Sequence, residues 1–173
     1  MTTLAAAVRE AAYLEGDFLL RSGKRSTYYL DKYRFGTEPN LLRRLGVAIG
    51  ETIREHAPTA ARIGAPELGA VSLAAAASLE VGIPFVIVRK EPKGYGTANR
   101  IEGPFVEGEE IVLVEDVVTS GGAAISAIEA LREAGLKVST AICVVDREEG
   151  GADELARIGI RLRPLLVASE LRS

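Results

Sequence analysis

The chain has 173 residues, enough for one domain or one domain with a small appendage. With 47% hydrophobic residues, 26% charged residues and a net charge of −3, it fits neither a disordered segment nor a protein that holds nucleic acid by phosphate attraction. Its one cysteine, Cys143, has no partner for an intramolecular disulfide, which suits a reducing cytoplasm.

Thr3 is placed to cap a short helix over residues 4–14, with Gly16 to end it. Two short strands follow, 18–20 and 27–30, joined by the turn Arg21-Ser22-Gly23-Lys24. Pro39 then opens a long amphipathic helix whose stripe of Leu41, Leu42, Leu45, Ile49 and Ile53 recurs at threes and fours. That helix stops at His56-Ala57-Pro58. Beyond it strands and helices alternate: strand 62–65, helix 68–79, strands 84–88 and 111–114, helix 123–134, strand 137–145, helix 152–158 and strand 161–167. The strands are mostly continuous and β-branched, as when helices cover both faces. The expected fold is therefore α/β, an open parallel sheet flanked by helices with right-handed crossovers. Two segments stand apart: residues 1–35, and the glycine-rich, charged loop 89–108, which reads as a lid. The most apolar stretch, 71–88, is broken by Glu80, Gly82 and Pro84 and does not read as a membrane span. Arg9 and Glu10 interrupt the first alanines, and no basic start precedes them, so a secretory signal is not expected.

Sheets of this kind bind ligands at the carboxyl ends of their strands. There the run Ile111-Val112-Leu113-Val114-Glu115-Asp116-Val117-Val118-Thr119-Ser120-Gly121-Gly122-Ala123 carries the most specific pattern. A buried strand delivers two adjacent carboxylates, then a hydroxyl pair and a glycine pair, and a helix begins. Glycines let successive N–H groups converge on an anion, and the positive end of the helix points at the same place. This is chemistry for a monoester phosphate. Glu115 and Asp116 would repel that phosphate, so they should face vicinal ribose hydroxyls or a divalent cation such as Mg²⁺. Phosphate, sugar and metal together spell a ribose 5-phosphate. Other phosphate motifs fail: Phe18 and Arg25 occupy positions where Walker A needs glycine and serine or threonine, and Gly94-Tyr95-Gly96 lacks the third glycine of the dinucleotide fingerprint.

The segment from Val114 to Gly122 resembles the phosphoribosyl pyrophosphate (PRPP) signature of the type I phosphoribosyltransferases. Within that group the chain is similar to the orotate phosphoribosyltransferases at three further places: 18–31, like the amino-terminal base-binding segment; 89–96, like the mobile catalytic loop; and Val145-Asp146-Arg147-Glu148, like the later base-binding arginine segment.

The resemblance implies a small amino-terminal hood at 1–35 and a single domain over 1–173. It implies transfer of the phosphoribosyl group of PRPP to orotate, with Mg²⁺, in cytoplasmic pyrimidine synthesis. Lys93 would be the main catalytic cation, with Glu115 and Asp116 beside the ribose. PRPP would be held by Arg89, Lys90 and Tyr95 and by Glu115, Asp116, Val117, Val118, Thr119, Ser120, Gly121, Gly122 and Ala123. Orotate would meet Lys24, Tyr28, Tyr29, Thr119 and Arg147. If the Tyr28–Tyr29 segment is extended, the two rings alternate faces, and one of them only packs. No side chain is expected to ligate the metal directly; it would ride on PRPP, with Asp116 near it. The resemblance also implies a homodimer whose lid reaches the neighbouring site, and neither nucleic acid nor membrane as a partner.

Two departures stand out. Tyr95 occupies a loop position where many orotate enzymes carry histidine, and Glu67-Leu68 stand where some relatives carry lysine. They leave open a transferase for another base, such as a purine, or a non-catalytic regulator that senses PRPP; the acidic pI near 5.4 speaks against the regulator. His56, the only histidine, reads as a surface residue at a helix end, and Cys143 as core. With no other histidine, a nucleophilic triad is excluded.

Overall fold

The structure, a computed structural model, describes residues 2–19, 23, 25–92 and 100–172; Lys24, Lys93 and Tyr95 lie outside the described residues. The amino-terminal part comprises α1 (Leu4–Ala12), the hairpin of β1 (Tyr13–Leu19) and β2 (Arg25–Leu30), α2 (Lys32–Thr37) and α3 (Pro39–His56). Thr3 accepts the Ala6 N–H at 3.2 Å and starts α1 as expected. The helix ends two residues early, because Tyr13 and Leu14 pair with Leu30 and Tyr29 across the hairpin. Gly16 consequently lies inside β1 rather than at a helix end. Pro39 opens α3 as expected, and Glu38 caps it, accepting the Leu41 N–H at 2.7 Å.

The remaining elements are β3 (Arg62–Pro66), α4 (Gly69–Val81), β4 (Phe85–Val88), β5 (Ile101–Glu102), β6 (Glu110–Val118), α5 (Gly122–Glu133), β7 (Lys137–Asp146), α6 (Gly151–Arg157), β8 (Arg161–Val167) and α7 (Ala168–Arg172). The sheet runs β5-β4-β3-β6-β7-β8, parallel throughout except for β5. Along β6 the side chains alternate between two cores. Val112 and Val114 meet Leu45, Ile49 and Leu73 from α3 and α4, while Ile111 and Leu113 meet Ile128, Leu131 and Leu155 from α5 and α6. Burial on both faces is why the strand reads as an unbroken apolar run.

Three differences from the sequence reading matter for the site. The strand expected over 111–114 continues to Val118, so Glu115 and Asp116 lie within β6 and are 6% and 1% exposed. The segment 89–108 is not one continuous loop, since Ile101–Glu102 forms the edge strand β5 against β4. Finally, α2 intervenes where no element was read; Asp31 caps it, accepting the Tyr33 N–H at 3.3 Å.

Candidate active site

Glu115 and Asp116 of β6 both line a cavity of about 760 Å³ at the carboxyl ends of the central strands. Asp116 is fully engaged: its Oδ1 accepts the Val117 N–H at 2.6 Å, and its Oδ2 lies 2.8 Å from the Lys32 ammonium. The first residue of α4 is pressed against it, and a Cβ on Gly69 would overlap Oδ2. Glycine is required there by close approach rather than by backbone angle. Burial, and then the charge of Asp116, push Glu115 up to about 8. Burial opposes the charge on Lys32, but its hydrogen bond to Asp116 and the charges of Asp116 and Glu115 outweigh this and raise it. The two acids and the lysine thus hold less negative charge than two free carboxylates would.

Immediately past β6, Thr119 and Ser120 are exposed, and Gly121 takes a φ of 85°. Gly121 supplies no side-chain cap, so the first N–H groups of α5, on Gly122 and Ala123, point out of the helix end. A smaller cavity of about 80 Å³ is lined by Glu115, Val117, Val118 and this turn. The start of α6 supports the turn from behind: a Cβ on Gly151 would sit 2.5 Å from the Thr119 carbonyl oxygen.

On the other side of the large cavity, Arg147 follows β7, and its N–H donates to the Val118 carbonyl at 2.8 Å. Its side chain is only 11% exposed. The guanidinium carbon lies 4.9 Å from the centre of the Tyr28 ring, which stacks on Tyr13 at 5.1 Å. The carboxylate neighbour of Arg147 is Glu149 rather than the adjacent Glu148. Nη2 of Arg147 lies 3.0 Å from Glu149, whereas Glu148 accepts the Ser169 N–H at 2.8 Å and faces Arg172 at 3.7 Å. As expected from strand alternation, Tyr28 and Tyr29 part company: Tyr29 lines the cavity, and Tyr28 packs against Arg147.

Beside β4 and β5, Arg89 and Arg100 find partners that the sequence did not suggest. The Arg89 N–H donates to the Arg100 carbonyl at 2.7 Å, Arg89 Nη1 lies 3.7 Å from Glu102, and Arg100 donates to Ser126 at 3.1 Å. Glu67 accepts the Lys90 N–H at 2.7 Å and so ties the β3–α4 loop to the residues that follow β4. Arg89, Lys90, Thr119, Ser120 and Ala123 all line the large cavity. Sequence reading missed Lys32, Gly69 and Glu149. Lys32 carried no signal by spacing, being remote from Asp116 in the chain, although a buried acid pair does demand a cation. Cys143 is core, its thiol pushed up by burial, and His56 ends α3. Among the described residues no three His, Cys, Asp or Glu side chains converge as a metal cage, and no helix is long and apolar enough to cross a membrane.

Residues 37–158 match the model of the phosphoribosyl transferase domain. The orotate phosphoribosyltransferase of Methanocella arvoryzae is 50% identical over 157 residues, spanning 90% of this chain and 87% of its own. That of Halobacterium salinarum is 47% identical over 169 residues, 97% of this chain and 94% of its own. Among solved structures, orotate phosphoribosyltransferase from Aeropyrum pernix superposes with a TM-score of 0.87 at 33% identity, covering 98% of this chain and 96% of that one. The Mycobacterium tuberculosis enzyme in complex with PRPP gives 0.83 at 29% identity over 98% and 97%. With half its residues shared along nearly the whole of one relative, and its fold shared along nearly the whole of another, the chain belongs to the orotate phosphoribosyltransferases of the phosphoribosyl transferase domain family.

Proposed function

We infer that this protein transfers the phosphoribosyl group of PRPP to orotate, giving orotidine 5′-monophosphate and pyrophosphate in pyrimidine nucleotide synthesis. The observation that carries this reading is one cavity of about 760 Å³ lined by the acid pair, the hydroxyls of the glycine turn, the lid root and Arg147. It matches the parts of a sugar phosphate, its leaving group and an anionic base.

The backbone of Thr119, Ser120, Gly121, Gly122 and Ala123 binds the 5′-phosphate, with the α5 N–H groups as donors. Glu115 and Asp116 meet the ribose hydroxyls. With Asp116 paired to Lys32 and Glu115 favouring its protonated form, the couplet accepts and donates hydrogen bonds without repelling the phosphate. As the bond from C1 to pyrophosphate breaks and the bond to N1 of orotate forms, positive charge grows on the sugar. The remaining negative charge beside the ring eases it. Arg89 and Lys90 receive the pyrophosphate, with Lys93 as the lid's principal cation and Tyr95 as a neutral donor. Arg147, with Lys24, holds the orotate carboxylate, for which a guanidinium can supply two parallel hydrogen bonds.

Glu115 and Asp116 supply hard oxygen donors suited to Mg²⁺. Asp116 is paired with Lys32 and Glu115 favours its protonated form, so the ion would ride on oxygens of PRPP with Asp116 near it, where it would neutralise charge on the leaving group. We assign the whole chain to one domain, with a hood at 1–35 and a lid at 89–108. A homodimer in which each lid serves the partner's site, working in the cytoplasm, completes the reading.

The test is orotate consumption followed by absorbance. Loss that requires PRPP and Mg²⁺ together, with pyrophosphate released in equal amount, is the expected result. Consumption of adenine or guanine with orotate untouched would assign a different base.

A further inference from the structure

Glu149 lines the same cavity as Arg147 and faces it directly, Oε1 to Nη2 at 3.0 Å. The pair is lopsided: the arginine side chain is 11% exposed and the glutamate 48%. One face of the guanidinium is covered by the Tyr28 ring, and its Nε is buried with no hydrogen-bond partner. Arginine offers five donors in a rigid fork, and here a half-exposed carboxylate engages one edge of it. A buried guanidinium awaiting an anionic substrate would be costly without a counter-charge. The next acidic residue, Glu148, is committed to Ser169 and Arg172.

We propose that Glu149 is a stand-in for the substrate's carboxylate: it balances Arg147 in the empty site and yields the guanidinium to the carboxylate of the entering base. The proposal rests on the reading that Arg147 receives that carboxylate. It makes Glu149 a specificity-determining residue that acts through Arg147. A base bearing a carboxylate replaces one anion by another of better geometry. A base without one leaves the Arg147–Glu149 pair in place and gains nothing from it.

Glu149→Gln keeps the shape and an acceptor oxygen while removing the charge. At saturating PRPP, the KM for orotate should fall about two- to fivefold, the range spanned by partly exposed ion pairs. The KM for PRPP should stay unchanged, as should inhibition by uracil, which lacks the carboxylate. An orotate KM that rises would make Glu149 a scaffold for Arg147 and overturn the proposal. An unchanged orotate KM, or an equal gain for uracil, would overturn it too. Arg147→Ala, measured in parallel, separates the two levels of the argument. If it leaves the orotate KM unaltered, the placement of the carboxylate is wrong and Glu149 falls with it. If it raises that KM while Glu149→Gln does not lower it, only the stand-in role fails.

Discussion

At the end of the cavity proposed for the phosphate, contiguous backbone makes the site: one strand, one turn and the first residues of α5, with Gly151 of α6 so close behind that its Cβ would sit 2.5 Å from the Thr119 carbonyl oxygen. At the end proposed for the base, side chains make it. Tyr13 and Tyr28 come from the hairpin, Arg147 and Glu149 from the β7–α6 loop, and Lys32 reaches across from α2 to the acid pair. Backbone sites are specified by a few neighbouring residues and tolerate change elsewhere. Side-chain sites depend on the packing of remote segments and are easily retuned. The sequence departure at Glu67-Leu68 falls in the β3–α4 loop, where Glu67 accepts the Lys90 N–H.

The largest expected effect lies where the two ends meet. Asp116→Asn should lower kcat on the order of 10²–10³, as removal of a preorganised electrostatic group does. Thermal denaturation should move little, because Lys32, 39% exposed, can turn its ammonium to water. Equal loss of activity and stability would make Asp116 a structural anchor. Arg147→Ala should raise the orotate KM about ten- to a hundredfold, the value of a charge-assisted hydrogen bond, and the PRPP KM far less. The reverse pattern would move Arg147 to the phosphate end. Gly121→Ala places a side chain at a φ of 85° and 3.2 Å from the Gly151 carbonyl. The left-handed conformation alone costs about 1–2 kcal/mol. The PRPP KM should therefore rise while the orotate KM holds, and a change in the orotate KM instead would blur the division. Tyr28→Leu removes the ring beneath Arg147, and a cation–π contact of about 0.5–1 kcal/mol predicts a two- to fivefold rise in the orotate KM.

The acid pair also leaves a trace in stability against pH. Glu115 is raised to about 8 in the folded protein, so the folded state binds a proton that the unfolded chain has released above its ordinary value. Its contribution is present in full at low pH and is lost as pH rises through about 8. Glu115→Gln should flatten that decline, measured as denaturation midpoints between acidic and mildly alkaline pH. An unchanged slope would mean that Glu115 is ionised throughout.

The two constructions also explain what could be read from the sequence. Parallel strands covered on both faces are written as apolar runs, and the turn after β6 as adjacent hydroxyls and glycines, so the parallel strands and the glycine turn were visible, though not the edge strand β5 or the far end of β6. Lys32, Gly69 and Glu149 were not. Lys32 matters only because α2 carries it to Asp116, and Gly69 only because α4 is packed so close that a Cβ would overlap the carboxylate. The misreading of Gly16 has a similar origin: local helix-stop chemistry lost to the cross-strand pairing of Tyr13 and Leu14. Glu149 rather than Glu148 faces Arg147, because Glu148 is anchored to the Ser169 N–H of α7.

A crystal structure with orotidine 5′-monophosphate bound tests the account most directly. The phosphate should accept hydrogen bonds from the backbone of 119–122, the ribose hydroxyls should meet Glu115 and Asp116, and the base carboxylate should lie on Arg147 in place of Glu149. A nucleotide lying the other way round, with its phosphate on Arg147 and its base in the glycine turn, would contradict it.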